Sequence, residues 1–108
     1  MLNEKEIHAV MEDVIEFFKL KYKDKLCTVY LYGSYARGEQ TDNSDIDIYI
    51  KAKEVETRGY ISKMDRQELL EIELKHDVPT HLHVVQDSET TTELFRNVLE
   101  EGKVYYDN

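Results

Sequence analysis

Two aspartates, Asp45 and Asp47, flank one isoleucine in the segment Ser44–Ile50, in which polar and apolar residues alternate. Such alternation predicts a β-strand with one buried face. Residues two apart in a strand point to the same side, with Cα atoms about 6.6 Å apart, so both carboxylates would project together while the isoleucines face the core. Two carboxylates at this spacing can reach one hard cation such as Mg²⁺, or flank a pair of metal ions about 3.5–4 Å apart. Asp45 and Asp47 are therefore candidate metal ligands and catalytic residues.

A second group of chemically useful residues lies upstream, where Gly33 and Ser34 are separated from Asp45 by ten residues. Glycine lets a backbone come close to a ligand, and serine offers both a hydroxyl and an N–H. If a short helical turn runs from Ser34 to Arg37, its free N–H groups form an anion site, and Arg37 adds a positive charge suited to phosphate oxygens. A phosphate cradle beside two metal-binding carboxylates predicts a site for a nucleoside triphosphate.

Each of these features alone has a common structural explanation. A Gly-Ser pair after a strand is usually a turn, an Asp-x-Asp pair on a strand is more often a solvated face, and a lone arginine is usually a surface residue. The combination is more specific, because the Gly-Ser pair follows one apolar strand and the two aspartates lie in a second strand that is otherwise apolar.

The elements that must position these residues are predicted by periodicity. Apolar residues at helical spacing predict a first helix from Glu4 to about Lys23. A second helix is predicted from Ser62, with Asp65 in a capping arrangement, to about Lys75. A last helix is predicted after Ser88 as its cap and is ended by Gly102. The segment 51–60 is polar and ambiguous.

Three strands are predicted by alternating or β-branched and aromatic residues, at Leu26–Tyr32, Ser44–Ile50 and Thr80–Gln86. The tail Lys103–Tyr106 fits either a short edge strand or a segment that packs against the domain. Helices and strands that alternate in a short chain predict an α/β (α+β) fold, with a small mixed β-sheet covered by helices mainly on one face. The 108 residues fit one domain, 1–108, without a separate substrate-binding domain.

The charge of the chain bears on its partners. With 23 acidic and 14 basic residues its net charge is −9, so it would repel a polyphosphate backbone and we expect no stable binding of nucleic acid. The same charge would speed association with a basic protein partner, although its commonest role is to keep a protein in solution.

Several features favour a cytoplasmic protein. No apolar run approaches the roughly 20 residues that cross a bilayer, and the acidic, amphipathic N-terminus is unlike a signal or transit peptide. Cys27 is the only cysteine, which suits a reducing compartment. We expect no membrane association.

The segment GSYARGEQTDNSDIDI, residues 33–48, resembles the signature of the polymerase-β-like nucleotidyltransferase superfamily in its minimal (MNT) branch. The closing segment FRNVLEEGKVYYDN also resembles the end of that domain. The resemblance implies that Gly33 and Ser34 hold the triphosphate of ATP and that Asp45 and Asp47 ligate a pair of Mg²⁺ ions. It further implies a partner, since minimal members typically act as the antitoxin of a HEPN-domain ribonuclease toxin, and some transfer AMP to a toxin tyrosine.

The sequence departs from the family pattern at a third carboxylate, which the family carries on the strand after the long helix. The matching position here is His83, and His81 and Val85 share its face by alternation. Asp87 has the same parity but lies about 13 Å from His83 along an extended strand. His83 is therefore a catalytic base or metal ligand, or it marks a domain that has lost turnover, or another acid fills the role. The pair of histidines could also bind Zn²⁺ or Ni²⁺ adventitiously.

The sequence thus supports two main hypotheses. The first is an antitoxin enzyme that transfers AMP from Mg·ATP to a HEPN toxin, with which it would form a hetero-oligomer. The second is a module with a degenerate nucleotide site that neutralises its toxin by direct binding. A nucleotidyltransferase acting on a small molecule is a weaker third, because a second domain is missing.

Overall fold

The structure is a computed structural model that describes residues 2–55, 63–89 and 92–108. In chain order the elements are α1 (Glu4–Tyr22), a 3₁₀ turn (Lys23–Lys25), β1 (Leu26–Tyr32), α2 (Ser34–Arg37), β2 (Ile46–Ala52), α3 (Lys63–His76), β3 (Thr80–Gln86), α4 (Glu93–Glu101) and β4 (Lys103–Asp107). None of the helices in the described ranges is long and apolar enough to cross a membrane.

The strands form one mixed sheet in the order β3-β2-β1-β4. β1 pairs antiparallel with both β2 and β4, whereas β2 and β3 are parallel. A parallel pair needs a long crossover connection, and α3 lies in the connection between β2 and β3. The tail is therefore an edge strand, one of the two arrangements that the sequence allowed.

One face of the sheet packs against α1 and α3 and forms the main core. The inner strand β2 presents Ile46, Ile48 and Ile50 to this face, all fully buried, as the alternation predicted. They share a cluster with side chains from the two helices, including Val10, Val14, Phe18 and Leu69. Burying each isoleucine side chain stabilises the fold by about 1.5–3 kcal/mol.

The opposite face, called here the α4 face, carries Tyr30 and Tyr49 and is covered by α4 through Val98 and Phe95. Asp47 lies two residues from Tyr49 on the same strand and so points to this face. The helices thus lie mainly on one side of the sheet, which confirms the predicted fold class, while the chemistry-bearing residues lie on the side that α4 covers only in part.

The second strand differs from the prediction, because it runs from Ile46 to Ala52 rather than from Ser44 to Ile50. Its parallel partner β3 begins only after Pro79, and the first contact is a hydrogen bond from the Ile46 N–H to the Pro79 carbonyl at 3.0 Å. Asp45 therefore precedes the strand. At the other end the buried Ala52 extends the apolar pattern and still pairs with Gln86.

The cap of the last helix was also predicted wrongly. Ser88 lies in a turn after β3, where the Glu89 N–H donates to the Gln86 carbonyl at 2.9 Å. Thr92 caps α4 instead, since its hydroxyl accepts the Phe95 N–H at 3.2 Å. The helix ends at Gly102, as expected. The predicted capping residue of α3, Ser62, lies outside the described residues.

The turn formed by residues 33–38 joins β1 to α2 and depends on Gly33. This residue has φ +76° and ψ −156°, a region that is essentially restricted to glycine. A Cβ atom here would collide with Oδ2 of Asp47 and lie 2.9 Å from its carboxyl carbon. The missing side chain of Gly33 therefore lets the turn rest directly against the Asp47 carboxylate.

We expect Thr92→Ala to lower the free energy of unfolding by about 1 kcal/mol, because the first turn of α4 loses its side-chain cap. Ser88→Ala is the matched control and should change it by less than about 0.5 kcal/mol. Urea unfolding followed by circular dichroism measures both. A larger loss of unfolding free energy for Ser88→Ala than for Thr92→Ala would indicate that Ser88 caps the helix, as the sequence predicted.

We expect Gly33→Ala to destabilise the domain by more than Gly38→Ala. Both glycines have positive φ, but nothing lies within 4 Å of a Cβ built at Gly38, so that variant should lose only the about 1–2 kcal/mol of a left-handed alanine. The extra cost at Gly33 should shrink in an Asp47→Ala background, which removes the colliding carboxylate. If Gly33→Ala lowers the free energy of unfolding equally in wild type and in Asp47→Ala, the close contact between Gly33 and the Asp47 carboxylate is contradicted.

Candidate functional site

The helical turn α2 begins at Ser34 and ends at Arg37, as the sequence predicted. The Ala36 and Arg37 N–H groups both donate to the Gly33 carbonyl at 3.1 Å. The N–H groups of the first two helical residues, Ser34 and Tyr35, have no acceptor within a helix of this kind. Tyr35 is buried and its hydroxyl accepts the Leu2 N–H at 3.2 Å, which ties the turn to the start of the chain. Ser34 is thereby held, half-buried, at the end of β1.

Asp47 lies in the middle of a row of three polar side chains that crosses the sheet. Its register partner on β1 is Tyr32, and its partner on β3 is His81. Nδ1 of His81 lies 3.3 Å from Oδ1 of Asp47. The other carboxylate oxygen, Oδ2, faces Gly33. The two oxygens of Asp47 therefore face opposite sides, one towards the 33–38 turn and one towards β3.

The pKa of Asp47 is raised above its ordinary value, chiefly because burial disfavours the charged form. The neighbouring His81 lowers the pKa, the charge of Asp45 raises it, and Arg37 lowers it to a smaller extent. A carboxylate that is half-buried beside a second carboxylate lacks full compensation of its charge. A bound cation would supply that compensation.

Asp45 lies just before β2 and is exposed. Within the described residues no three His, Cys, Asp or Glu side chains converge closely enough to hold a metal ion by themselves. Mg²⁺ is usually bound by one or two carboxylates, with water and substrate phosphates completing the shell. The two aspartates and the glycine turn that opens beside them fit such an ion when it arrives with a triphosphate.

Tyr32 is a site residue that sequence reasoning missed. Burial is the main cause that raises its pKa to about 12, with further contributions from the charges of Asp47 and Tyr49. Its phenol therefore stays protonated at neutral pH and can act as a hydrogen-bond donor beside Asp47. The available signal was its position directly before Gly33 at the end of a strand.

His83 lies on the α4 face, as alternation predicted, but in the next row along the strands. Its register partner is Tyr49, and the two rings stack with centroids 5.6 Å apart at an angle of 19°. Tyr49 also stacks on Phe95, again with centroids 5.6 Å apart. Burial lowers the pKa of His83, with a smaller effect from His81. The contact to Asp47 comes from His81, and a catalytic His83 stays a prediction.

Arg37 is held by two carboxylates in the structure. Its Nη1 donates to Oε2 of Glu101 at 3.0 Å, and its Nε lies 3.6 Å from Oε2 of Glu39. The Glu101 contact joins α2 to the end of α4 and raises the pKa of the guanidinium. The role predicted for Arg37, contact with phosphate, would require this side chain to leave or share these partners.

Comparison with known proteins places this arrangement in context. The family described as "Polymerase beta, Nucleotidyltransferase" matches residues 12–108. "Putative protein adenylyltransferase MJ0604" of Methanocaldococcus jannaschii is 31% identical over 96 residues, which are 89% of this chain and 94% of that protein. "Protein adenylyltransferase MntA" of Shewanella oneidensis is 33% identical over 102 residues, 94% of this chain but 63% of its own length.

Solved structures agree on the fold. A toxin–antitoxin crystal structure with AMP-PNP has a TM-score of 0.60 and 28% identity, with 99% of this chain and 75% of that chain covered. A complex of a tri-AMPylated Shewanella oneidensis HEPN toxin with its MNT antitoxin has a TM-score of 0.54, with 93% of this chain and 71% of that chain covered. At 23% identity the second match speaks to the fold alone.

The family match covers nearly the whole chain and includes Gly33 and Asp47, which the structure brings into contact, as well as Ser34 and Asp45. The chain belongs to the polymerase beta nucleotidyltransferase family, and its relatives include proteins named as protein adenylyltransferases.

Proposed function

We propose that this chain binds Mg·ATP and transfers the AMP group to a hydroxyl of a partner protein, a HEPN-domain toxin, and so acts as its antitoxin. The observation that carries the proposal is the contact between the Gly33 turn and the Asp47 carboxylate. It brings a candidate phosphate-binding turn and a candidate metal-binding pair into one site. The structural relative at 28% identity is a toxin–antitoxin described with AMP-PNP, an ATP analogue.

In this mechanism Ser34 and the first N–H groups of α2 bind the triphosphate, at the end of a helical turn where anions are favoured. Asp45 and Asp47 would hold divalent cations, which would supply positive charge against the charge that develops on the transferred phosphate. The acceptor hydroxyl loses its proton to solvent as its oxygen forms a bond to the α-phosphorus, and pyrophosphate leaves in line on the opposite side. Tyr32, whose phenol stays protonated at neutral pH, would donate a hydrogen bond to a phosphate oxygen.

The proposed partner follows from charge and from relatives. A net charge of −9 favours fast association with a basic protein. The relative that is 33% identical is named a protein adenylyltransferase, and the fold is shared with an antitoxin in complex with a HEPN toxin. We therefore propose a cytoplasmic hetero-oligomer with such a toxin as the acceptor.

Two observations favour a second candidate function. Within the described ranges no third acidic group joins Asp45 and Asp47 in a metal-binding cluster, and Arg37 is paired with Glu101 and Glu39. A domain of this kind could bind nucleotide weakly, transfer nothing, and neutralise its toxin by covering it.

The transfer experiment separates the two functions. The chain is incubated with ATP labelled at the α-phosphate, Mg²⁺ and a HEPN-domain toxin, and label on the toxin is measured. We expect labelling that falls by about 10²-fold or more in Asp45→Asn and Asp47→Asn, the scale of losing a transition-state electrostatic contact.

Asp24→Asn is the matched control, because Asp24 is an exposed acid that precedes the first residue of β1, at the end of the strand opposite Gly33. Undiminished labelling with Asp47→Asn would sink the metal-site assignment. Neutralisation of the toxin without any label would favour the covering function.

The raised pKa of Asp47 predicts a stability difference that does not require turnover. A carboxyl whose folded pKa lies above its unfolded pKa destabilises the fold at higher pH, and the penalty disappears as the pH falls through the folded pKa. In EDTA at pH 7 we therefore expect Asp47→Asn to melt at a higher temperature than wild type, and the difference to shrink towards about pH 4.

Added Mg·ATP should raise the melting temperature of wild type but not that of the variant. Thermal denaturation followed by circular dichroism tests both statements. An Asp47→Asn protein that is less stable than wild type at pH 7 without metal would mean that the hydrogen bond to His81 outweighs burial.

A further inference from the structure

We propose that Glu101 is a positioning residue for the phosphate-binding turn, which it holds in place through its ion pair with Arg37. In this arrangement Arg37 ties α2 to the end of α4 and makes no contact with phosphate. The turn is then fixed with Ser34 and the first N–H groups of α2 facing the nucleotide. The proposal rests on the proposed function, because it concerns how the same site binds the triphosphate.

The helix α2 depends on contacts with other elements for its orientation. It has only four residues, and a helix this short is not stable alone. Gly33 and Gly38, with φ of +76° and +73°, lie on either side of it, so neither flank is stiffened by a side chain. Tyr35 supplies one tether, since its hydroxyl accepts the Leu2 N–H at 3.2 Å. The last residue of the helix, Arg37, supplies the second.

Glu101 is a firm anchor for this second tether. Its Oε2 accepts a hydrogen bond from Nη1 of Arg37 at 3.0 Å. Glu101 is the last residue of α4, and the next residue, Gly102, packs directly against β1, where a Cβ atom would lie 3.0 Å from the Leu31 carbonyl oxygen. Leu31 is two residues before Gly33. The anchor and the start of the turn are therefore attached to the same end of one strand.

Glu39 is not an anchor of this kind. Its Oε2 lies 3.6 Å from Nε of Arg37, which is longer than a hydrogen bond. It is also only two residues from Arg37 in the chain, so this pair ties α2 to no other element. The pair with Glu101 joins residues 64 positions apart. Neutralising Glu39 should therefore leave the position of α2 unchanged.

The surroundings of Arg37 favour a tether over a phosphate ligand. Two carboxylates already face the guanidinium, and a phosphate would have to displace or share them. The hydrogen bond to Glu101 is the main cause that raises the pKa of Arg37. Burial is the main cause that shifts the pKa of Asp47, and Arg37 has the smallest effect of those that contribute. The guanidinium thus interacts strongly with Glu101 and only weakly with the carboxylate of the site.

Hydrogen exchange of the protein without nucleotide tests the tether directly. The N–H groups of Ala36, Arg37 and Glu39 donate to carbonyls within the turn, so their exchange rates, measured by NMR, report the opening of α2. We expect Glu101→Gln to speed exchange at all three N–H groups by about two- to fivefold, the scale of one exposed ion pair.

Glu54→Gln is the matched control for this measurement. Glu54 forms an exposed ion pair with Lys25, which precedes the first residue of β1, at the end of the strand opposite Gly33. The control removes one ion pair and one negative charge, as Glu101→Gln does, and should leave exchange in α2 unchanged. Exchange in Glu101→Gln at the wild-type rates would overturn the proposal.

Nucleotide binding distinguishes a tether from a phosphate ligand. The affinity for Mg·ATP is measured by calorimetry in a Glu39→Gln background, which leaves one carboxylate facing Arg37 and shows what removal of one nearby charge does. In that background we expect Arg37→Gln and Glu101→Gln each to weaken binding by about two- to fivefold. Swapping the two residues, Arg37→Glu with Glu101→Arg, restores the ion pair with reversed polarity and should recover most of the lost affinity.

A phosphate ligand at position 37 would give the opposite results. Glu101→Gln would then release Arg37 and tighten the binding of Mg·ATP. The swapped protein would bind less tightly than Arg37→Gln, because a carboxylate would face the phosphate and like charges repel. Either outcome would overturn the proposal.

The tether and the proposed function fail in different ways. If wild type binds no Mg·ATP, the proposed function falls, and the hydrogen-exchange rates alone decide for or against the tether. If the toxin is labelled while exchange in Glu101→Gln matches wild type, the tether falls and the proposed function stands.

Discussion

The close approach of Gly33 to the carboxylate of Asp47 is the constraint on which the site depends. A turn at the end of β1 and a side chain on β2 occupy adjoining space only because residue 33 has no Cβ and adopts a φ of +76°. This contact sets where α2 begins relative to the aspartates. The candidate phosphate-binding turn and the Asp47 carboxylate are consequently neighbours in the fold.

The sheet divides stability and chemistry between its two faces. On one face the isoleucines of β2 are fully buried under α1 and α3. On the other face the same strand presents Asp47, whose raised pKa records an unfavourable burial of charge. The alternation of a strand allows both in consecutive residues. Burial of the isoleucines stabilises the fold, and this offsets the unfavourable burial of the Asp47 charge on the other face. A small domain can therefore hold a site of this kind.

Local signals predicted much of the fold. β1, β3 and the turn from Ser34 to Arg37 match their predicted bounds, because apolar runs that end at glycine or follow proline define them within a few residues. The bounds of β2 could not be predicted from its own residues, since they depend on where its partner strands β1 and β3 begin and end. Likewise Ser88 and Thr92 are both capable caps, and the local sequence does not distinguish them, although the structure uses Thr92.

The same limit governs the site. Gly33, Ser34, Asp45 and Asp47 could be predicted as candidates from residue type and spacing, since they belong to two short segments joined by one loop. The identity of the residue beside Asp47 could not be found in this way, because His81 and His83 have the same parity and the same type. Only the register between β2 and β3 distinguishes them, and that register pairs Ile46 with Thr80 across the crossover formed by residues 53–79. A shift of two residues in that register would exchange the two histidines and leave every buried position unchanged in parity. Which histidine lies beside Asp47 is therefore fixed by long-range strand pairing, whereas the position of the candidate site on the fold is fixed locally.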